Sequence, residues 1–266
     1  MNRIAKTFQQ SKPFIGYLTG GDGGVDYSVE CALALIEGGV DILEIGMPFS
    51  DPVADGPVIQ RAHERALAQG ATSSTILEIA KRLRQVSEVP LVLFSYYNPI
   101  LQRGAQYLHQ LKLAGFDGVL IVDLPVPINS NEQEPFFKTL KEAQLLPILL
   151  ATPGADQERL LQISRVAEGF LYYVSQKGTT GVRGKLADDF SAQMARLRPY
   201  FQKMPIAAGF GIADRASAKA ALEEADGFVV GSALVQKMEE KISPRELALV
   251  AQSIDPRTMA RERSYP

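Results

Sequence analysis

The sequence predicts an α/β protein of the (β/α)8 TIM-barrel class, and three observations support this. Eight short apolar, β-branched or aromatic runs alternate with eight longer polar segments of helical period, which is typical of parallel βα units. Several helical segments are followed by a glycine and then a strand, where glycine ends the helix. The 266 residues are close to the ~250 typical of such barrels. We therefore expect a single barrel domain over residues 1–266.

The strands are expected at the eight apolar runs, which are Phe14–Leu18, Ile42–Gly46, Leu91–Tyr96, Val119–Asp123, Pro147–Ala151, Phe170–Val174, Ile206–Gly209 and Phe228–Val230. The helices between them are expected at Tyr27–Glu37, Ser73–Val86, Ala105–Ala114, Glu132–Ala143, Gln157–Val166, Phe190–Tyr200, Arg215–Glu224 and Pro244–Gln252. An open, doubly wound sheet is the alternative architecture, but no G-x-G-x-x-G follows the first strand.

The composition excludes several classes of protein. A formal net charge of -2 offers no basic field for nucleic acid. Cys31 is the only cysteine, so neither an intramolecular disulfide nor a thiolate metal cluster can form. The N-terminal segment Met1–Lys12 lacks the apolar core of a secretory signal and is expected to form a short amphipathic helix. Apolar runs stay well below the roughly 18 residues of a membrane span, so we expect a cytosolic protein.

Glu44 is the first candidate for chemistry, because of its place on the second strand. Side chains alternate along a strand, so Leu43 and Ile45 can face the helices while Ile42, Glu44 and Gly46 point into the barrel. Glu44 lies near the carboxyl-terminal end of this strand, and barrel enzymes keep their active sites at the carboxyl-terminal ends of the strands. A glutamate there is costly to desolvate, so its pKa should rise toward a range suited to acid/base catalysis. A structural, hydrogen-bonded glutamate is the alternative.

Asp55 is the second candidate, and it follows in the loop after this strand. The loop is dense in turn residues, since Asp51-Pro52 and Asp55-Gly56-Pro57 both indicate turns. Taken singly, each aspartate could equally be a turn former or a helix cap. The spacing alone does not decide between these roles and catalysis.

Two glycine segments indicate a barrel of the phosphate-binding type. Gly209-Phe210-Gly211 ends the seventh strand, and Gly231-Ser232 ends the eighth just before a possible short helix. Barrels commonly bind phosphate at these positions through backbone N–H groups, and glycine permits a close approach. Tight turns at the barrel rim are the structural alternative for either segment alone.

The run from Leu43 to Gln60 resembles the signature of the tryptophan synthase alpha chain family, L-E-x-G-x-P-F-S-D-P-x-A-D-G-P. The match is long and rich in uncommon residues. The resemblance extends over nearly the whole chain, at Leu18-Thr19, Gly21-Asp22, Tyr96, Asn98-Pro99, Val122-Asp123-Leu124-Pro125, Gly178, Thr180-Gly181, Gly209-Phe210-Gly211-Ile212 and Gly231-Ser232-Ala233.

The resemblance implies a retro-aldol cleavage of indole-3-glycerol phosphate to indole and glyceraldehyde 3-phosphate, at the last stage of tryptophan biosynthesis. It implies that Glu44 shuttles the proton and that Asp55 binds the indole N–H. It also implies that Thr180 closes onto Asp55 and that Gly181 helps to enclose the phosphate. The segment Ser175–Gly184, with three glycines and few apolar residues, is expected to be a mobile lid.

An indole ring requires an apolar slot, and the candidate side chains lie in the expected strands or at their ends. They are Tyr17, Phe94, Leu120, Val122, Leu150, Tyr172 and Phe210, of which Tyr172 and Phe210 are nearest to the lid and the phosphate segment. The chain departs from the family pattern at two positions. Thr179 stands in the lid, and Gly23 stands in the first loop where proline is frequent.

The resemblance also implies a partner. It identifies the chain as the alpha subunit of an α2β2 complex with the tryptophan synthase beta chain, which carries pyridoxal phosphate, and no cofactor is expected in this chain. The segment from Pro48 to Pro52 and the region of Asn98-Pro99 correspond to segments that touch the beta chain. A catalytically silent barrel that only activates the beta subunit is the alternative function. A barrel acting on another sugar or pyrimidine phosphate would not explain the Phe49-to-Pro57 loop.

The two histidines, His63 and His109, lie in or beside helical segments and have no metal-binding partner at ligand spacing. We expect both to be solvated helix residues, and we expect no metal site.

Overall fold

The computed structural model describes residues 1–124, 134–174, 190–209 and 211–257. Eight parallel strands in this part pair in sequence order, and the last pairs with the first, so that the sheet closes into a barrel. The predicted fold class is confirmed, whereas the extent of the domain over 1–266 stays a prediction. The strands are β1 Phe14–Thr19, β2 Ile42–Gly46, β3 Leu91–Ser95, β4 Gly118–Ile121, β5 Leu146–Ala151, β6 Leu171–Val174, β7 Ile206–Gly209 and β8 Gly227–Val230.

Helices surround the barrel. They are α1 Arg3–Gln10, α2 Gly24–Glu37, α3 Pro57–Ala68, α4 Ser73–Val86, α5 Tyr97–Ala114, α6 Glu134–Glu142, α7 Gln157–Val166, α8 Phe190–Leu197, α9 Arg215–Glu224, α10 Ser232–Glu239 and α11 Pro244–Ile254. Helices α2 to α9 lie between consecutive strands. Within the described residues, every helix is too short or too polar to cross a lipid bilayer.

The expected helices are found, but α3 was not predicted. The sequence Asp55-Gly56-Pro57 was interpreted as a turn, whereas Gly56 is the N-cap of a helix that has Pro57 at its first position. Proline is well suited to that position, because its missing N–H would have no partner there. The same three residues thus both turn the chain and start a helix.

Several element boundaries differ from the prediction, and two of these differences are linked in the structure. Helix α5 begins at Tyr97 instead of Ala105, because two helical segments meet at Gly104, which has φ of 68°. Strand β4 ends at Ile121, before Asp123. The Asp123 carboxylate instead accepts a hydrogen bond from the backbone N–H of Tyr97, at 2.6 Å, and so ties the β4 end to the start of α5.

The core has two layers separated by the sheet. Alternate strand residues fill the barrel interior, and the residues between them pack against the helices. Helix α1 covers the amino-terminal end of the barrel, where Ile4 joins the interior cluster and Phe8 packs on Phe170 at 5.5 Å between ring centroids. The apolar interior therefore continues to the closed end, and the opposite end is left for the site. The interior cluster comprises Ile4, Ile15, Ile42, Val92, Leu120, Ile148, Phe170, Tyr172, Ala207 and Val229.

Gly23, one of the two departures from the family pattern, has φ of +85°. Glycine adopts this left-handed region without a steric penalty, whereas proline is fixed near −65°. The first loop therefore has a backbone that the more frequent proline could not adopt. Thr179, the second departure, lies outside the described residues.

Asp117 connects three elements at the amino-terminal end of the barrel. Its carboxylate is 4% exposed and accepts hydrogen bonds from the N–H of Leu91 at 3.0 Å, from Arg3 at 3.0 Å and from Arg84 at 3.3 Å. Removing such a carboxylate leaves buried donors without their partner.

We expect Asp117→Ala to lower the free energy of unfolding by about 2–4 kcal/mol, because it leaves the N–H of Leu91 and the two arginine side chains without their acceptor. Asp26→Ala is the control, since Asp26 also pairs with an arginine, Arg82, but its side chain is 84% exposed. Exposed pairs contribute at most about 1 kcal/mol. Denaturant unfolding measures both variants, and equal losses would contradict this account of Asp117.

Candidate active site

Glu44 lies inside the barrel on β2, beside Tyr17 of β1 in the strand register. The alternation predicted from the sequence is confirmed, because Ile42 belongs to the interior cluster while Leu43 and Ile45 pack in the outer layer. Only 1% of Glu44 is exposed. The barrel itself therefore removes this carboxyl group from water.

Burial determines the protonation of Glu44. Its Oε1 atom is buried without a hydrogen-bond partner in the described part of the chain. Desolvation disfavours the charged form and raises the pKa of Glu44 to about 8. The predicted upward shift is thus confirmed. At neutral pH the group holds a proton that it can donate, and loss of that proton leaves a base of matching strength.

Asp55 lies in the loop between β2 and α3, and its side chain is only 6% exposed. The hydroxyl of Tyr96, at the end of β3, donates a hydrogen bond to Asp55 Oδ2 at 2.8 Å and accepts one from the N–H of Ala54 at 3.0 Å. Gln60 donates to the Asp55 carbonyl oxygen at 2.8 Å. The neighbouring strand and the first turn of α3 therefore fix the position of this carboxylate.

His63 is buried against Asp55, so its assignment as a solvated residue was wrong. Its side chain is 2% exposed, and Nε2 lies 3.3 Å from Asp55 Oδ2. Its Nδ1 accepts a hydrogen bond from the N–H of Phe49 at 3.2 Å. The reason is that Ala62, His63 and Ala66 form the buried face of α3. His109 is exposed, as expected.

Four of the predicted indole-slot residues line one interior region. Tyr17 packs edge-on against Phe94, with ring centroids 5.2 Å apart. Leu120 and Tyr172 belong to the interior cluster, and Phe94 packs against that cluster. These side chains present a mostly apolar wall next to Glu44. Val122 and Leu150, two further candidates, are half-buried and also pack against this cluster. Phe210, the seventh candidate, lies outside the described residues.

Two glycines make room for the tyrosines of this wall. A Cβ atom on Gly46 would overlap the Tyr17 hydroxyl, and one on Gly209 would overlap the Tyr172 hydroxyl. Burial, and second the nearby carboxylates, raise the pKa of both tyrosines well above its usual range. Both hydroxyl groups therefore remain protonated and can donate hydrogen bonds.

The predicted phosphate segments lie at adjacent strand ends, since β7 pairs with β8. Gly231 is the N-cap of α10, and Ser232 is the first residue of that helix. The first N–H groups of a helix have no partner within it and attract anions. Gly211, just beyond β7, has φ of +77°, which favours glycine. Thr180 and Gly181, predicted to close over the site, lie outside the described residues.

Comparison with known proteins bears on the identity of this site. A model of the family described as tryptophan synthase alpha chain matches residues 4–263. The chain belongs to the tryptophan synthase alpha chain family. The family reaction is the cleavage of indole-3-glycerol phosphate to indole and glyceraldehyde 3-phosphate, so this chain is a carbon–carbon lyase of tryptophan biosynthesis. An alpha chain of this family also implies a beta chain as its partner.

Individual relatives agree with the family assignment. The tryptophan synthase alpha chain of Chlamydia felis is 73% identical over 257 residues, which is 97% of this chain and all of the relative. The alpha chain of a Coxiella burnetii strain is 50% identical over 96% of this chain and 98% of its own length. The crystal structure of the alpha subunit from Legionella pneumophila superposes with a TM-score of 0.85 at 34% identity, covering 96% of this chain and 97% of that one.

Tyr96 and His63 are site residues that the sequence analysis did not assign. Tyr96 belongs to the family resemblance, and its place at the end of a strand was the available signal. His63 continues a helical apolar pattern with Ile59, Ala62 and Ala66. That pattern would have predicted its burial if a helix had been expected from Pro57 onward.

Within residues 1–124, 134–174, 190–209 and 211–257, no three His, Cys, Asp or Glu side chains are grouped so as to hold a metal ion.

The raised pKa of Glu44 makes the stability of the protein depend on pH. Its folded-state value of about 8 lies above its ordinary value of 4.5, so its contribution is fully present below about pH 4.5 and is lost as the pH rises through about 8. Relative to Glu44→Gln, we expect the wild-type free energy of unfolding to fall by up to roughly 5 kcal/mol between about pH 5 and pH 9. Denaturant unfolding of both proteins across this pH range measures this change. If the difference in free energy of unfolding between wild type and Glu44→Gln did not vary with pH, the burial of this carboxyl group would be contradicted.

Proposed function

We propose that this chain cleaves indole-3-glycerol phosphate at the carboxyl-terminal mouth of the barrel, with Glu44 and Asp55 as its catalytic residues. One observation carries the proposal. Glu44 is a buried carboxyl without a hydrogen-bond partner at Oε1 in the described part of the chain, and its pKa is raised to about 8. A structural glutamate would be expected to have its buried oxygen atoms paired.

Glu44 moves one proton in two steps. Its neutral carboxyl donates a proton to C3 of the indole ring, which converts the ring to an indolenine with positive charge at nitrogen. The carboxylate that remains then accepts the proton of the adjacent side-chain hydroxyl. As that oxygen becomes the aldehyde carbonyl, the carbon–carbon bond breaks and its electron pair restores the indole ring. Indole and glyceraldehyde 3-phosphate leave, and Glu44 is again protonated.

Asp55 binds the indole N–H and stabilises the charge that develops on the ring nitrogen. The hydrogen bond from Tyr96 supports this role, because it orients the carboxylate before the substrate arrives. Preorganised groups of this kind act most strongly where water is excluded, and the Asp55 side chain is almost fully buried. Two carboxyl groups in different surroundings can thus take different roles.

The remaining predicted residues bind the two ends of the substrate. Tyr17, Phe94, Leu120 and Tyr172 contact the indole ring, and their packing around Glu44 supports this. The N–H groups at Gly231 and Ser232, together with Gly211, bind the phosphate. Thr180, Gly181 and Phe210 complete the site in this proposal.

We further propose that the chain works in the cytoplasm within an α2β2 heterotetramer, in which the beta chain carries pyridoxal phosphate. This chain needs no cofactor for its own reaction, since Glu44 and Asp55 supply the proton transfer and the counter-charge. The exposed segment near Ser50 and Asp51, together with Asn98, is the proposed contact with the beta chain.

Glu44→Gln should reduce indole release by about 10²–10⁴-fold, because the amide cannot supply the proton. The measurement is indole release by the purified chain from indole-3-glycerol phosphate, with and without a beta chain. Asp55→Asn should lose about 10²-fold or more, because the counter-charge is removed. Glu64→Gln is the matched control, since Glu64 is an exposed glutamate on α3.

Full activity of Glu44→Gln would refute the proton-shuttle assignment. No indole from the wild type, even with its partner, combined with stimulation of the beta reaction, would instead favour a silent activator.

The pH dependence of turnover offers an independent test. The free enzyme must hold a proton on Glu44, whose pKa is about 8. We therefore expect kcat/KM for indole-3-glycerol phosphate to fall as the pH rises through about 8. Steady-state rates from about pH 6 to pH 9.5 measure this, and a value still increasing at the upper limit would contradict the role of Glu44 as the initial acid.

A further inference from the structure

His63 is a buried titratable group next to the catalytic site to which the proposed reaction gives no role. Its side chain is 98% buried, and it lies between the N–H of Phe49 and the carboxylate of Asp55. We propose that His63 is a positioning residue for Asp55. In this proposal the Nε2–H of His63 donates a hydrogen bond to the Asp55 carboxylate while that carboxylate holds the indole N–H. The inference rests on the proposed function, because it acts through Asp55.

The hydrogen bond at Nδ1 fixes which nitrogen of His63 can donate. The N–H of Phe49 points at Nδ1 at 3.2 Å, so Nδ1 must be an acceptor. The ring proton is then on Nε2. If both ring nitrogens carried protons, the Nδ1–H of His63 would face the N–H of Phe49, and neither group could accept a hydrogen bond.

This leaves a buried donor aimed at the carboxylate of Asp55. Nε2 lies 3.3 Å from Asp55 Oδ2, but it does not meet the geometry of a hydrogen bond and has no other partner in the described part of the chain. A buried N–H without a partner is destabilising, so it requires an explanation. A small rotation of the Asp55 carboxylate would complete the hydrogen bond, because the two atoms are already within 3.3 Å.

Tyr96 and His63 approach the same oxygen atom from different elements. The Tyr96 hydroxyl donates to Oδ2 from the end of β3, at 2.8 Å, while His63 lies on α3. Together they define the orientation of the carboxylate more closely than either does alone. Since Asp55 stabilises a charge that develops during the reaction, loss of one donor should lower kcat more than it raises KM.

The contact with Phe49 gives His63 a second, separable function. Phe49 packs on Tyr96 with ring centroids 5.1 Å apart, and the following residues, Ser50 and Asp51, are exposed. Nδ1 therefore holds the loop through Phe49, while Nε2 is directed at Asp55. Substitutions of His63 can remove these two contacts separately.

Two amide substitutions make this separation. In His63→Asn, the side-chain oxygen can replace Nδ1 as the acceptor for Phe49, but no donor reaches Asp55. In His63→Gln, the longer amide can place its NH2 group near the position of Nε2, while the acceptor for Phe49 is lost. His109→Asn is the matched control, because His109 is exposed on α5. Thermal unfolding of each variant confirms that it is folded.

The experiment measures kcat and KM for cleavage of indole-3-glycerol phosphate by each variant in complex with the beta chain. We expect His63→Asn to lower kcat by about tenfold or more, the usual effect of losing a hydrogen bond to a charged group, with KM changed less than about twofold. His63→Gln should retain at least about a third of the wild-type kcat. A wild-type kcat in His63→Asn, or equal losses in the two folded amide variants, would overturn the proposal.

Binding of an uncleavable indole-alkyl phosphate by calorimetry supplies a readout other than turnover. We expect His63→Asn to bind it within about threefold of wild type, because the ground state lacks the developing charge. A parallel collapse of binding and turnover in both variants would indicate only a structural role and would refute the inference. If the wild type itself makes no indole, the proposed function fails first, which is a different result from an active wild type with unaffected His63 variants.

Discussion

The desolvation of one carboxyl group, that of Glu44, is the constraint on which the site depends. The barrel interior around it is apolar, with Ile42 on the same strand and Tyr172 and Leu120 nearby. An ionised carboxylate is unfavourable in such surroundings, and its pKa rises accordingly. The fold thus produces an acid that holds its proton at neutral pH, and strand alternation and register alone determine its position.

The Asp55 carboxylate accepts a hydrogen bond within the protein, whereas Oε1 of Glu44 has no partner in the described part of the chain. Tyr96 orients its carboxylate, and His63 approaches the same oxygen from α3. These contacts come from three separate segments of the chain, because the loop after β2, the end of β3 and α3 meet at the barrel mouth. The contrast between an unpaired and a paired carboxyl group allows one to move a proton while the other stabilises charge.

The sequence predicts the parts of this arrangement that depend on local periodicity. The β2 pattern placed Glu44 inward, and the glycines after the helices marked the strand starts, because both follow from backbone geometry. The environment of Asp55 could not be predicted in this way. Its turn residues indicated a loop and concealed the start of α3 at Pro57, so the buried face that carries His63 was not recognised. The kink at Gly104 likewise joins two helical segments that the periodicity had not joined.

The protonation state of Glu44 is the central claim, and carbon-13 NMR of the glutamate side-chain carboxyl groups measures it directly. In uniformly labelled protein, the resonance that disappears in Glu44→Gln should titrate with a midpoint near pH 8, as burial requires. It should then report a neutral carboxyl at pH 7. Titration of that resonance below about pH 5.5, more than two units under the expected midpoint, would contradict the account of a desolvated acid inside the barrel.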